Sequence, residues 1–276
     1  MSKTSSCEQF RELSKVQDKN LDLVEVALLI ASEHCANLDI QKYKRKIDRL
    51  VEEAKSVIVK EGSAIAQAAS LAHFLYVEKG FRGSNHEYYH PRNSFLNSVL
   101  DTKIGIPLSL SILYIAIGRK LGMTVHGISF PGHFLVSCQG VGEAIIDTFY
   151  GEILSYFECE ERFRQIMGDQ VPFKREYLMP SSNRDVIVRM LRNLKHVFAR
   201  NGEYAQALKC SERILMFTPN QPFEVRDRGI FYHELECYSS ALKDFEQFLQ
   251  LAPGDSSSER IRAEVATLRE QFGALH

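Results

Sequence analysis

Apolar residues recur every three or four positions over the first third of the chain, a period that predicts helices. Leu21, Val24, Leu28 and Ala31 mark one, with Asp22, Glu25 and Glu33 at polar positions. A second should follow Asn37-Leu38-Asp39 and carry Tyr43, Ile47, Leu50, Val51 and Ala54. A third, rich in Ala and Leu, covers residues 64–77 and stops near Gly80. These three read as a packing layer. Phe81, Gly83, Asn85, Tyr88, Tyr89 and Pro91 then interrupt any helical period, so residues 80–92 read as loop. Asn93 or Ser94 can cap a short helix through Leu96, Val99 and Leu100.

After Gly105 a strongly apolar helix is expected over residues 107–121. Pro107 suits the first turn, where its missing N–H costs nothing, and Gly122 is placed to end the helix. The pattern then shortens to strand-like runs over residues 124–130, 134–138 and 143–149, with His133 at the head of the second and Asp147 in the third. The Gln139-Gly140-Val141-Gly142 turn makes the last two a hairpin. A helical layer plus a small antiparallel sheet is an α+β core. Residues 171–183, with Pro172, Pro180 and two serines, read as a linker.

Beyond the linker the chain repeats itself. Tyr204, Ala207 and Pro219 recur 34 residues later as Tyr238, Ala241 and Pro253, while Phe198 pairs with Tyr232 and Leu215 with Leu249. That is the tetratricopeptide period, in which the alanines let paired helices approach and the prolines end each unit. The charged helix over residues 258–272 would cap the stack. The expected domains are therefore 1–178, α+β with an N-terminal helical subdomain, and 183–276, an all-α tetratricopeptide module.

Composition narrows the function classes. Of 276 residues 45% are hydrophobic and 25% charged, with a formal net charge of -1, so neither a nucleic-acid nor a membrane partner is expected. The longest apolar run, residues 112–117, is far short of the ~20 needed to span a bilayer. Six scattered cysteines without a CxxC pair, and no apolar stretch after the first residues, fit reduced thiols in a cytoplasm. No cofactor is expected.

Gly80-Phe81-Arg82-Gly83, Tyr88-Tyr89-His90-Pro91-Arg92-Asn93-Ser94-Phe95-Leu96-Asn97, Gly105-Ile106-Pro107-Leu108-Ser109-Leu110-Ser111 and Phe130-Pro131-Gly132-His133-Phe134-Leu135-Val136 resemble the SirB-type family of bacterial proteins. Arg189-Met190-Leu191-Arg192-Asn193-Leu194-Lys195 and Arg226-Asp227-Arg228-Gly229 carry the resemblance into the repeats. It implies a transglutaminase-like, papain-like N-terminal domain followed by tetratricopeptide repeats. It implies an architecture and a regulatory or accessory role more than a reaction. One departure is Asp147-Thr148-Phe149, where Asp-Pro-Phe would be expected.

In thiol enzymes of that fold, a Cys at a helix N-terminus has its pKa lowered by the helix dipole. His on the next strand takes its proton, and Asp orients the ring. The register implied by the resemblance, counted from Gly105 and Gly122, puts Pro107 where that Cys would stand. Proline has no nucleophilic atom. Ser109 lies about 200° around the helix from Pro107 and Ser111 a full turn beyond Pro107, so a serine acting through His133 and Asp147 is the rival reading. Cys138 has the opposite strand parity to His133 and should face away. The bland alternative for the pair is a buried imidazole satisfied by a carboxylate. His86 and His90 have a spacing that would suit zinc on a helix, but Pro91 and Tyr88-Tyr89 argue against a helix there, and no metal site is expected.

In the repeats, Arg189, Arg192, Asn193 and Lys195, with Arg226 and Arg228, could line a groove gripping an acidic tail, diluted by Glu224 and Asp227. The expectation is a non-catalytic regulatory or scaffold protein that binds a protein or peptide through its repeats. The alternative is a hydrolase or acyltransferase using a serine with His133 and Asp147.

Overall fold

The computed structural model describes residues 5–59, 62–85 and 89–273. It divides into two compact units, one of which is Val16–Met190. Helix α1 (Ser6–Lys15) groups instead with the residues from Leu191 onward. The division therefore falls inside helix α8 (Asn183–Arg200).

In the Val16–Met190 unit, α2 (Leu23–Ser32) and α3 (Ile40–Ala54) open the layer, each N-capped by the aspartate before it. Asp22 accepts from the Val24 and Glu25 amides, and Asp39 from that of Lys42, satisfying N–H groups the first turn leaves unpaired. Eight of the ten residues of α2 are buried, so it is a core helix and not the one-sided helix its spacing suggests. The third element is α4 (Ala64–Ala72), which continues as a π-helical stretch, His73–Glu78.

Strand β1 (Arg82–Gly83) lies in the segment read as loop, and pairs in parallel with β2 (Ile104–Gly105) across the intervening α5 (Leu96–Thr102). The residue before α5 is Phe95, which offers no side-chain cap. Asn93 turns inward instead, its amide donating to the Ser84 hydroxyl at 3.1 Å. Helix α6 (Pro107–Lys120) is buried at every residue from Pro107 to Gly118, and Gly122 stops it with φ of 85°.

The sheet is antiparallel in the order β3 (Thr124–Ile128), β4 (Leu135–Gly140), β5 (Gly142–Asp147), β6 (Glu152–Leu154). Ile128 of β3, Leu135 of β4 and Leu154 of β6 join Phe130 and, from the following helix α7 (Tyr156–Met167), Cys159 and Phe163 in one buried cluster. Residues 171–183 are not a bare linker. Val171, Phe173, Tyr177 and Leu178 pack into that cluster, the Tyr177 ring stacked 4.9 Å from Phe163. Burying those apolar groups outweighs the loop-like composition around them.

In the other unit, α9 (Tyr204–Phe217) and α11 (Tyr238–Leu251) begin and end 34 residues apart, with α10 (Pro222–Glu234) between them and α12 (Ser258–Gly273) closing the stack. Ala207 and Ala241 have no exposed surface, as close helix pairing requires. Gly229 serves the same end: an added Cβ would lie 2.8 Å from the Phe245 ring. Helix α1 packs on α9, with Phe10 fully buried and the Arg213 guanidinium 5.3 Å above its ring.

Candidate functional site

His133 sits in a turn just before β4. The turn depends on Gly132, whose φ is 66° and where a Cβ would meet Ile166 at 2.4 Å. The His133 amide closes it onto the Phe130 carbonyl at 3.1 Å. Asp147, fully buried, ends β5. The two side chains meet, His133 Nε2 lying 2.8 Å from Asp147 Oδ2.

A third residue closes on the same oxygen. Arg162 of α7 ion-pairs with Asp147 Oδ2, reaches Glu152 at 3.5 Å and lies 5.1 Å over the Tyr150 ring. Asp147 Oδ1 accepts from the Phe149 amide at 2.9 Å. An ionised carboxylate only accepts, so His133 Nε2 carries the hydrogen and donates it. Arg189, expected in a repeat groove, donates instead to the carbonyls of His133 (2.7 Å) and Phe130 (3.1 Å), bracing the His133 turn.

Burial, then the cations Arg162 and Arg189, lower the His133 pKa to about 4. An unfolded histidine titrates near about 6.5. Between these values the folded chain binds fewer protons than the unfolded one, so stability rises with pH across that window. The contribution is fully present above the unfolded value and is lost as pH falls toward about 4. At ~1.4 kcal/mol per pKa unit it amounts to about 3 kcal/mol. His133→Gln should flatten the urea-unfolding free energy over this range by that amount. An unchanged slope would mean that other groups set the acid sensitivity.

Pro107 opens α6, and its carbonyl accepts from the Thr148 hydroxyl at 3.1 Å. The start of the long helix is thereby tied to the residue following Asp147. Thr148 is the departure from the Asp-Pro-Phe pattern, and its hydroxyl makes a bond that a proline could not. That hydroxyl also lies 2.7 Å from Ser111 Oγ, and because it already donates to Pro107, Ser111 is the donor. Ser109 donates to the Asn93 carbonyl at 2.6 Å and accepts from the Ile106 amide at 3.1 Å. Both serines are buried, and their hydroxyls bond to these groups and not to His133. Burial raises the Cys138 pKa, disfavouring thiolate.

The remaining basic residues of the predicted groove have partners inside the repeats. Lys195, almost fully buried, bridges Glu224 at 2.7 Å and Asp227 at 2.6 Å. Arg192 bonds Glu224 at 2.7 Å, and Arg226 bonds Asp227 at 2.9 Å and Ser257 at 3.1 Å. Arg228 grips both oxygens of Asp244 at 2.6 and 2.7 Å. Asn193 is half-buried on α8. These side chains are brought together, but as internal ion pairs.

Among the described residues no group of three His, Cys, Asp or Glu could hold a metal ion; His86 lies outside them. Among them no helix is long and apolar enough to cross a membrane. Sequence reasoning missed Arg162 altogether. Cys159 and Phe163 are the buried positions of α7, and nothing in their spacing says that the arginine beside Phe163 reaches β5.

Residues 41–192 match the family model for the transglutaminase-like superfamily, and residues 194–266 match that for tetratricopeptide repeats. A UPF0162 protein of Xylella fastidiosa is 36% identical over 272 residues, covering 97% of each chain. A UPF0162 protein of Vibrio cholerae is 33% identical, covering 90% of this chain and 93% of its own. Protein SirB1 of Salmonella typhimurium is 29% identical, covering 96% of this chain and all of its own.

Proposed function

The chain belongs to the family of transglutaminase-like proteins with tetratricopeptide repeats that includes SirB1 and the UPF0162 proteins, and from that premise we propose a non-catalytic binding role. In this reading the protein is a cytoplasmic regulator or scaffold whose repeats hold a protein or peptide partner. The observation that carries it is Pro107 in the first turn of α6, tied to Thr148 beside the His133–Asp147 pair. The thiol enzyme needs a nucleophile there, and proline supplies neither an attacking atom nor a proton. His133, Asp147 and Arg162 then act as a structural clamp between the His133 turn, β5 and α7.

The repeats offer a cleft of about 360 Å³ with Ile230, Phe245 and Ile261 inside and Arg226 and Arg260 among its charged residues. Such a surface suits an amphipathic segment better than a fully charged tail, because its apolar area must be covered for tight binding. The test is affinity capture on the full chain with two variants. Ile230→Asp should abolish recovery of the partner, while His133→Ala should leave it intact at neutral pH. Recovery lost in His133→Ala and kept in Ile230→Asp would overturn the proposal and favour a role centred on the transglutaminase-like unit.

A further inference from the structure

A second cavity, of about 480 Å³, lies where β1 and β2 run side by side. It is formed by two motifs the proposed function does not use, Arg82-Gly83 and Arg92-Asn93. Its other polar walls are Ser84, Asn85 and Thr102, so among the described residues two guanidinium groups line it and no carboxylate does. Arg82 is exposed on β1, and none of the ion pairs of the described residues involves it.

The base of the cavity is built and buried. Asn93 and Ser84 are 4% and 6% exposed. The Asn93 amide donates to Ser84 Oγ at 3.1 Å, and the Ser84 backbone is fixed by its N–H bond to the Gly105 carbonyl at 2.9 Å. The Ser84 hydroxyl therefore accepts one bond and keeps its own proton, with no acceptor among the described residues. A buried donor without an acceptor is costly unless something supplies one. Gly83 brings the wall against the rest of the unit: an added Cβ would lie 2.5 Å from the Phe149 ring. Asn93 anchors it from the other side, its carbonyl accepting from the Ile106 amide and the Ser109 hydroxyl.

We propose that this cavity binds an oxyanion, the phosphate or carboxylate group of a small organic acid, held by Arg82 and the Ser84 hydroxyl. Guanidinium forks match the paired oxygens of both groups, and a hydroxyl donor beside them completes an oxyanion cradle. The cavity shares no residue with the repeat cleft, so this site stands or falls independently of partner binding.

Inorganic phosphate and succinate are the probes, titrated into the full chain by calorimetry and thermal melting against sodium chloride of equal ionic strength. At least one should bind saturably, raising the melting temperature above the chloride control. Arg82→Gln should weaken that binding tenfold or more, and Ser84→Ala should weaken it measurably. Arg164→Gln, an exposed arginine paired with Glu160 on α7, should leave it unchanged. Because Arg82 is exposed, its variant should melt like the parent in chloride. Response to phosphate alone assigns a phosphate ligand, response to succinate alone a carboxylate, and response to both the shared chemistry. No saturable response to either, or an equal response in Arg82→Gln, would overturn the site.

Discussion

Replacing Lys195 with alanine should cost the repeat unit about 3–5 kcal/mol, because it leaves buried acid unpaired. The lysine side chain is 2% exposed, and its ammonium bonds Glu224, whose side chain is 4% exposed, and Asp227. Without it, Arg192 still reaches one oxygen of Glu224, but the other loses its only cation among the described residues. Burial raises the Asp227 pKa, while Lys195 and Arg226 outweigh it and hold the carboxyl below its usual range. Urea unfolding of the full chain, followed by helical circular dichroism, reads the loss. Lys195→Met combined with Glu224→Leu should recover much of it by removing both charges together. A loss below about 1 kcal/mol for Lys195→Ala would put the pair in the class of weak, solvated ion pairs and contradict this account.

Asp147→Ala should be comparably damaging, at about 3–5 kcal/mol, and for a related reason. Two donors and a cation converge on this fully buried carboxylate: the His133 ring and the Phe149 amide donate to it, and the Arg162 guanidinium ion-pairs with it. Removing it strands a cation and two N–H groups at once. Asp147→Asn keeps the volume but cannot neutralise Arg162, so it should recover only part of the loss. Pairing Asp147→Leu with Arg162→Met should recover more. The melting temperature is the readout. An Asp147→Ala chain as stable as the parent would mean that the carboxylate is held for chemistry and not for structure.

Much of the architecture was legible because it rests on long, regular signals. Pro107 and Gly122 bracket α6, and the 34-residue period marks out the repeat helices. Short elements were not legible. β1 and β2 are two residues each, too short to display alternation, and they pair in parallel across a helix. Asn93 and Ser94 look like helix caps, but Asn93 spends its side chain on Ser84, a partner that sequence order does not reveal.

The candidate site was half legible for similar reasons. His133 and Asp147 lie on neighbouring parts of one antiparallel pair, so their meeting follows from the hairpin. Arg162 comes from a separate helix, and its contact depends on how α7 docks. The basic residues of the repeats were visible as charges, but charge says nothing about the partner. Lys195 shows the limit well. It stands at the repeat position that Gly229 fills in the next copy, and it is one of the most buried side chains in the protein.

The most direct test of the central claim is labelling of the purified full chain with a serine-reactive fluorophosphonate, read by intact-protein mass spectrometry and peptide mapping. The account predicts no adduct at Ser109 or Ser111, since one hydroxyl holds the start of α6 and the other bonds Thr148. A stoichiometric adduct on either serine, abolished by His133→Ala, would contradict it and establish a working nucleophile beside the pair.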